Sequence, residues 1–284
     1  MARWPSMRRW AVGLGLIVLV AVGGVADSPP IARPPVIDVA YGGDPLQQLD
    51  VYPAANPSPA VVVVHGGGWT RGDKRLPEIR QSSATLQARG FAVFSINYRL
   101  AGEGRPGEPM QTQDVAAAVA WVIDNGARYG ADDTGVRLVG GSSGAQLVSL
   151  AGPQINASRP GAIRSIVAMS GPMDFVVIVQ ENLTLSARER TGKTIPVYLG
   201  CRLADCTDQQ MRAASPVHNI SATSPPFLII NSDAEIVPVE QAQALHEALS
   251  AAGRPSTLRI VPGQDHGLVL LDSVEDDVVA FLRA

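Results

Sequence analysis

Residues 136–150 read VRLVGGSSGAQLVSL, and this stretch limits the architecture more than any other. A short apolar run enters the turn Gly140-Gly141-Ser142-Ser143-Gly144, and a second, helix-like apolar run leaves it. G-x-S-x-G between a strand and a helix is the pattern of a nucleophile elbow, whose small residues let the backbone bend sharply enough to lift a serine hydroxyl above a sheet edge. Ser142 is therefore the candidate nucleophile.

A nucleophilic serine needs a base to take its proton, a carboxylate to hold that base, and N–H donors for the oxyanion. Upstream, residues 61–69 read VVVVHGGGW, so bare glycine backbone follows a β-branched run that suits a strand buried on both faces. Downstream, residues 261–267 read VPGQDHG and put His266 in a loop after another strand-like run. Between them, residues 225–238 read PPFLIINSDAEIVP, where a strand ends in the carboxylates Asp233 and Glu235. The chain order serine, acid, histidine is that of α/β-hydrolases.

The rest of the chain is consistent with such a sheet. Strands are expected at 36–40 and 46–52, an antiparallel edge hairpin across Gly42-Gly43-Asp44-Pro45. Further strands are expected at 61–64, 91–96, 163–169, 226–230 and 257–261, and helices at 76–89, 110–129, 239–252 and 271–282. Such alternation implies a mostly parallel sheet with helices on both faces. Residues 175–199 break it and are expected to form an insert or partial lid. With 46% apolar and only 5% aromatic residues, the core must be mainly Val, Ala, Leu and Ile. A formal net charge of −3 gives no long-range attraction to phosphate backbones, so nucleic acid is not an expected partner.

Together these motifs resemble the HGGGW-bearing esterase group of the α/β-hydrolase fold, similar to its carboxylesterase, feruloyl-esterase-like and kynurenine-formamidase-like branches. The likeness runs in order through LDVYP (49–53), HGGGWTRGDK (65–74), NYRLA (97–101), the elbow, SGPMDF (170–175), SPVHNI (215–220), the acid loop and the histidine loop. It implies a central sheet of about eight strands. It also implies a serine hydrolase of small or short-acyl carboxylic esters, with Ser142 as nucleophile, His266 as base, and the N–H groups of Gly67, Gly68 and Ser143 as the oxyanion hole. No cofactor and no metal are required. His65 would shape the oxyanion loop, and Asp174 reads as structural because the resemblance puts the acid one strand later.

The acid departs from the pattern of the relatives, which place Asp four residues before the proline. Here Ala234 stands at that distance from Pro238. The charge comes from Asp233 or from Glu235, and the extra methylene of Glu favours Glu235. Two rival readings are an aryl-formamide or amide hydrolase and a non-catalytic binding protein on a hydrolase scaffold.

Residues 1–26 have the pattern of a secretory signal peptide: Arg3, Arg8 and Arg9 precede an uncharged apolar run at 11–26 that ends in Gly24-Val25-Ala26. Membrane contact is expected only if this leader is retained. Residues 27–35 read as a Pro-rich tether and 36–284 as the catalytic domain. The protein is expected to be exported, whether secreted, periplasmic or in the cell envelope, and there the close pair Cys201 and Cys206 is expected to form a disulfide.

Overall fold

The computed structural model describes Met1 and residues 33–180, 193–202 and 205–284. Apart from Met1, the expected leader at 1–26 lies outside the described residues, as do most of the tether and the middle of the expected insert.

Eight strands form one sheet: β1 (Val36–Ala40), β2 (Gln48–Tyr52), β3 (Ser58–Val64), β4 (Ala92–Ile96), β5 (Ala131–Gly141), β6 (Ile163–Met169), β7 (Phe227–Ser232) and β8 (Ser256–Val261). Their order is β1-β2-β4-β3-β5-β6-β7-β8. The hairpin β1–β2 is antiparallel, and its turn is held by Asp44, whose side chain accepts the Leu46 N–H at 2.9 Å. β2 pairs antiparallel with β4, and every pairing from β4 through β3, β5, β6 and β7 to β8 is parallel.

The run Val61-Val62-Val63-Val64 shows why the sheet needs cover on both faces. Side chains alternate along a strand, so Val62 and Val64 enter one core cluster and Val61 and Val63 the other, all 0% exposed. Full burial of such a side chain is worth about 1.5–3 kcal/mol. The first face is covered by α2 (Met110–Asn125), α3 (Ser143–Ser158) and α7 (Val239–Ala251), through residues such as Val115, Leu147 and Leu245. The second is covered by α1 (Pro77–Ala88) and α8 (Leu271–Arg283), through Ile79, Leu86, Val278 and Leu282.

Among the described residues, the short helices α4 (Phe175–Gln180), α5 (Ile195–Leu199) and α6 (Asp208–Ala214) lie between β6 and β7 in the chain. The helix expected at 110–129 stops at Asn125 and tightens into a 3-10 turn, Gly126–Tyr129. That turn brings Tyr129 edge-on to Phe94 at 6.3 Å, so tertiary packing decides where α2 ends. The strand before the elbow begins at Ala131, earlier than the apolar run, because its first residues pair partly exposed beside β3.

Chain order reverses at β3, whose neighbours are β4 on one side and β5 on the other. The crevice beyond the carboxyl ends of such strands is where open α/β sheets place ligands. The HGGGW loop leaves β3 there, next to the elbow leaving β5, since Val64 pairs with Gly140.

Candidate active site

Ser142 sits at φ 55°, ψ −125°, a conformation that costs a non-glycine residue about 1–3 kcal/mol and persists only where its surroundings enforce it. The surroundings do so through missing side chains. A Cβ on Gly140 would stand 2.4 Å from the Gly144 carbonyl oxygen, and one on Gly144 would stand 2.2 Å from that of Val64. The elbow can therefore press against the end of β3 only with glycine on both sides. The Ser142 N–H donates to Met169 at 2.8 Å, which ties the turn to β6.

The HGGGW loop lies against this turn, since a Cβ on Gly66 would be 3.0 Å from both the Gly141 oxygen and the Ser142 Cβ. Gly67 and Gly68 have φ of 127° and 59°, which favour glycine. Among the described residues no protein acceptor takes the N–H of Gly67, Gly68 or Ser143. For Ser143 the reason is its place in the first turn of α3, where backbone donors have no partner within the helix. Beneath the loop His65 is fully buried, stacks on Tyr98 at 4.4 Å between ring centroids, and has Nδ1 2.7 Å from the Gly66 carbonyl oxygen. Burial pushes its pKa down to about 4, so the ring is neutral and Nδ1–H donates to that carbonyl.

The carboxylates at the end of β7 separate. Glu235 has a fully buried side chain whose Oε2 accepts from His266 Nδ1 and whose Oε1 accepts the Ser232 N–H at 3.0 Å. Asp233 is exposed and accepts the Gly263 N–H at 2.9 Å, bracing the loop after β8. Asn231 closes the turn around Glu235 by donating to the carbonyls of Ser232 at 2.9 Å and Val237 at 3.0 Å. The histidine loop is pinned at two points: Ser232 Oγ donates to the Asp265 carbonyl at 2.6 Å, and the Gly267 N–H donates to Ser170 Oγ at 2.8 Å.

Ser142, Ser143, Gly67, Gly68 and His266 line one cavity of about 430 Å³, with apolar walls from Leu76, Ile79, Ile236, Val237 and Val269. Thr194, from the end of the expected insert, also lines it. A larger cavity of about 510 Å³, near Ala60, Val136 and Arg164, holds none of the expected site residues. Two further titratable residues stand elsewhere. Asp174 caps α4 through the N–H groups of Val176 and Val177, at 2.9 and 3.2 Å, and His246 bonds Ser256 Oγ at 2.8 Å. Cys201 and Cys206 are joined by a disulfide just after α5. Among the described residues no group of three or more His, Cys, Asp or Glu can hold a metal ion.

Asn231, Ser170 and Ser232 have no site role assignable from sequence alone. The available signal was their position at the carboxyl ends of β6 and β7, within motifs recognised only as resemblances.

Comparison with known proteins bears on the same region. The BD-FAE family model matches residues 49–249. Esterase LipC of Mycobacterium tuberculosis is 32% identical over 249 residues, 82% of this chain and 60% of LipC. Esterase LipQ of the same organism is 28% identical over 86% of this chain and 59% of LipQ, so the chain spans well under two thirds of these curated relatives. Among solved structures, a truncated form of a carbohydrate esterase from gut microbiota superposes with a TM-score of 0.76 at 24% identity, covering 89% of this chain and 96% of that one. At that identity the likeness is one of fold.

Proposed function

The chain belongs to the BD-FAE family, on the α/β-hydrolase fold, and from that premise we propose that residues 36–284 hydrolyse small or short-acyl carboxylic esters through an acyl-enzyme on Ser142. The observation that carries the reading is the Glu235–His266 hydrogen bond on the wall of the cavity that also exposes the strained Ser142. The esterase names of LipC and LipQ support it.

Ser142 Oγ attacks the acyl carbon while His266 Nε2 takes the hydroxyl proton. His266 then gives that proton to the departing alcohol oxygen, and water repeats the sequence to release the acid. Glu235 holds the tautomer with the proton on Nδ1 and stabilises the imidazolium that forms. The negative charge on the carbonyl oxygen is taken by the N–H groups of Gly67, Gly68 and Ser143, and one such donor is worth about 3 kcal/mol. Among the described residues these N–H groups have no other acceptor to leave when the charge develops.

The test is turnover of a short-chain nitrophenyl ester together with labelling by a fluorophosphonate. Wild type should do both and Ser142→Ala neither. A variant active within tenfold of wild type overturns the assignment. An aryl-formamide matched to the ester asks the remaining chemical question, because the same groups serve an amide leaving group; faster formamide turnover favours the amide reading. Export belongs to the same proposal and rests on the leader pattern of residues 1–26; the Cys201–Cys206 disulfide is of a kind that persists in oxidising compartments. Material from the native host should then begin near Asp27 by intact mass.

A further inference from the structure

Gln146 is the residue of this region that the chemistry above leaves unused. It lies one turn beyond Ser142 in α3, is fully buried, and its side-chain amide joins three parts of the molecule. Its Oε1 accepts the indole N–H of Trp69 at 2.9 Å, and its Nε2 donates to Tyr198 Oη at 3.0 Å and to the Ala214 carbonyl at 2.8 Å. Trp69 follows Gly68 directly and holds φ 64°, a left-handed conformation rare for a bulky residue. Something must hold it there. Its ring stacks on Tyr198 of α5 at 4.7 Å and meets Phe175 edge-on at 5.5 Å, while its carbonyl accepts from Gln111 Nε2 at 2.7 Å and from the Ala101 N–H at 2.9 Å.

The proposed oxyanion donors come from two separate elements. Gly67 and Gly68 belong to the loop after β3, and Ser143 belongs to α3. Gln146 belongs to α3 and grips the residue next to Gly68, so one side chain fixes the distance between the two halves of the hole. From this geometry we infer that Gln146 is a positioning residue for the oxyanion hole, acting through the Trp69 indole N–H and braced by Tyr198. The inference rests on the proposed hydrolase function. Losing the Trp69 bond leaves the stack and the carbonyl contacts in place, so the fold is kept while the tie to α3 is lost and the hole loosens. Displacement of a reacting group by about an ångström lowers rates by up to about a hundredfold.

The experiment compares Gln146→Leu, which removes both ends of the bridge, with Trp69→Phe, which keeps a ring and removes only the N–H. Each should lower kcat by about tenfold to a hundredfold with KM within about threefold. The double variant should be no slower than the slower single one, because both substitutions break one linkage. Affinity for a trifluoromethyl ketone, which places an oxyanion in the hole, should fall by the same factor as kcat/KM. A purely structural role lowers the melting temperature and leaves these quantities alone. If Gln146→Leu fails to fold, Trp69→Phe decides by itself. Wild-type-like kcat and ketone affinity in folded Trp69→Phe overturn the inference while the ester-hydrolase reading stands. A wild-type protein that neither turns over ester nor reacts with fluorophosphonate overturns both.

Discussion

Glu235 accepts a hydrogen bond from Nδ1 of His266, whereas Asp233, two residues earlier, faces solvent and holds the Gly263 N–H at 2.9 Å. The two carboxylates therefore have different tasks. Glu235→Gln should lower kcat by up to about ten-thousandfold with little change in KM, because the amide favours the wrong imidazole tautomer. Asp233→Asn should leave kcat near that of wild type. Steady-state kinetics on one ester decides, and a near-silent Glu235→Gln removes Glu235 from the mechanism.

The strain at Ser142 makes an unusual stability order expected. Glycine adopts φ 55°, ψ −125° without the penalty that a Cβ brings, a penalty of about 1–3 kcal/mol. Glycine also loses about 0.5–1 kcal/mol more on folding than alanine. Ser142→Gly should therefore be at least as stable as Ser142→Ala, the reverse of the usual effect. Urea unfolding of both variants measures it, and a clearly weaker glycine variant contradicts a strained elbow.

Acid should weaken the fold partly through His65. Its pKa is depressed by burial from 6.5 to about 4, so the folded protein binds fewer protons than the unfolded chain between those values. The contribution is complete above pH 6.5 and is lost as pH falls toward about 4, amounting to about 3 kcal/mol. The His65→Asn variant, compared with wild type by urea unfolding from pH 7 to pH 4, should show a stability slope shallower by up to one proton. Parallel slopes count against a buried neutral His65.

The Cys201–Cys206 bridge closes a short loop directly after α5, which carries Tyr198. A loop of that size contributes about 2 kcal/mol in the chain-entropy account. Oxidised protein should exceed the Cys201→Ser/Cys206→Ser double variant by that amount in urea unfolding. Denatured, unreduced protein should contain no free thiol.

What the amino-acid sequence determined was everything set by local period and by backbone freedom. The run at 61–64 is apolar on both faces of a strand, and that alone requires helices on both sides of the sheet. Gly140, Gly144, Gly67 and Gly68 mark where the chain must turn tightly or approach other backbone. These effects act within a few residues, so the hairpin, the strand–helix alternation and the elbow were legible. Where α2 gives way to a 3-10 turn was not, because Tyr129 settles there against Phe94 from a distant strand. The carboxylate question shows the same limit. Asp233 and Glu235 are near-equivalent in sequence. Only the turn closed by Asn231 across to Val237, with the β8 loop brought alongside, turns one toward His266 and the other toward Gly263. Nothing in the sequence around Gln146 sets it apart from other polar residues of apolar helices. Its three partners lie 77, 52 and 68 residues away, and a hydrogen bond at that separation exists only once the whole sheet and its helices are in place.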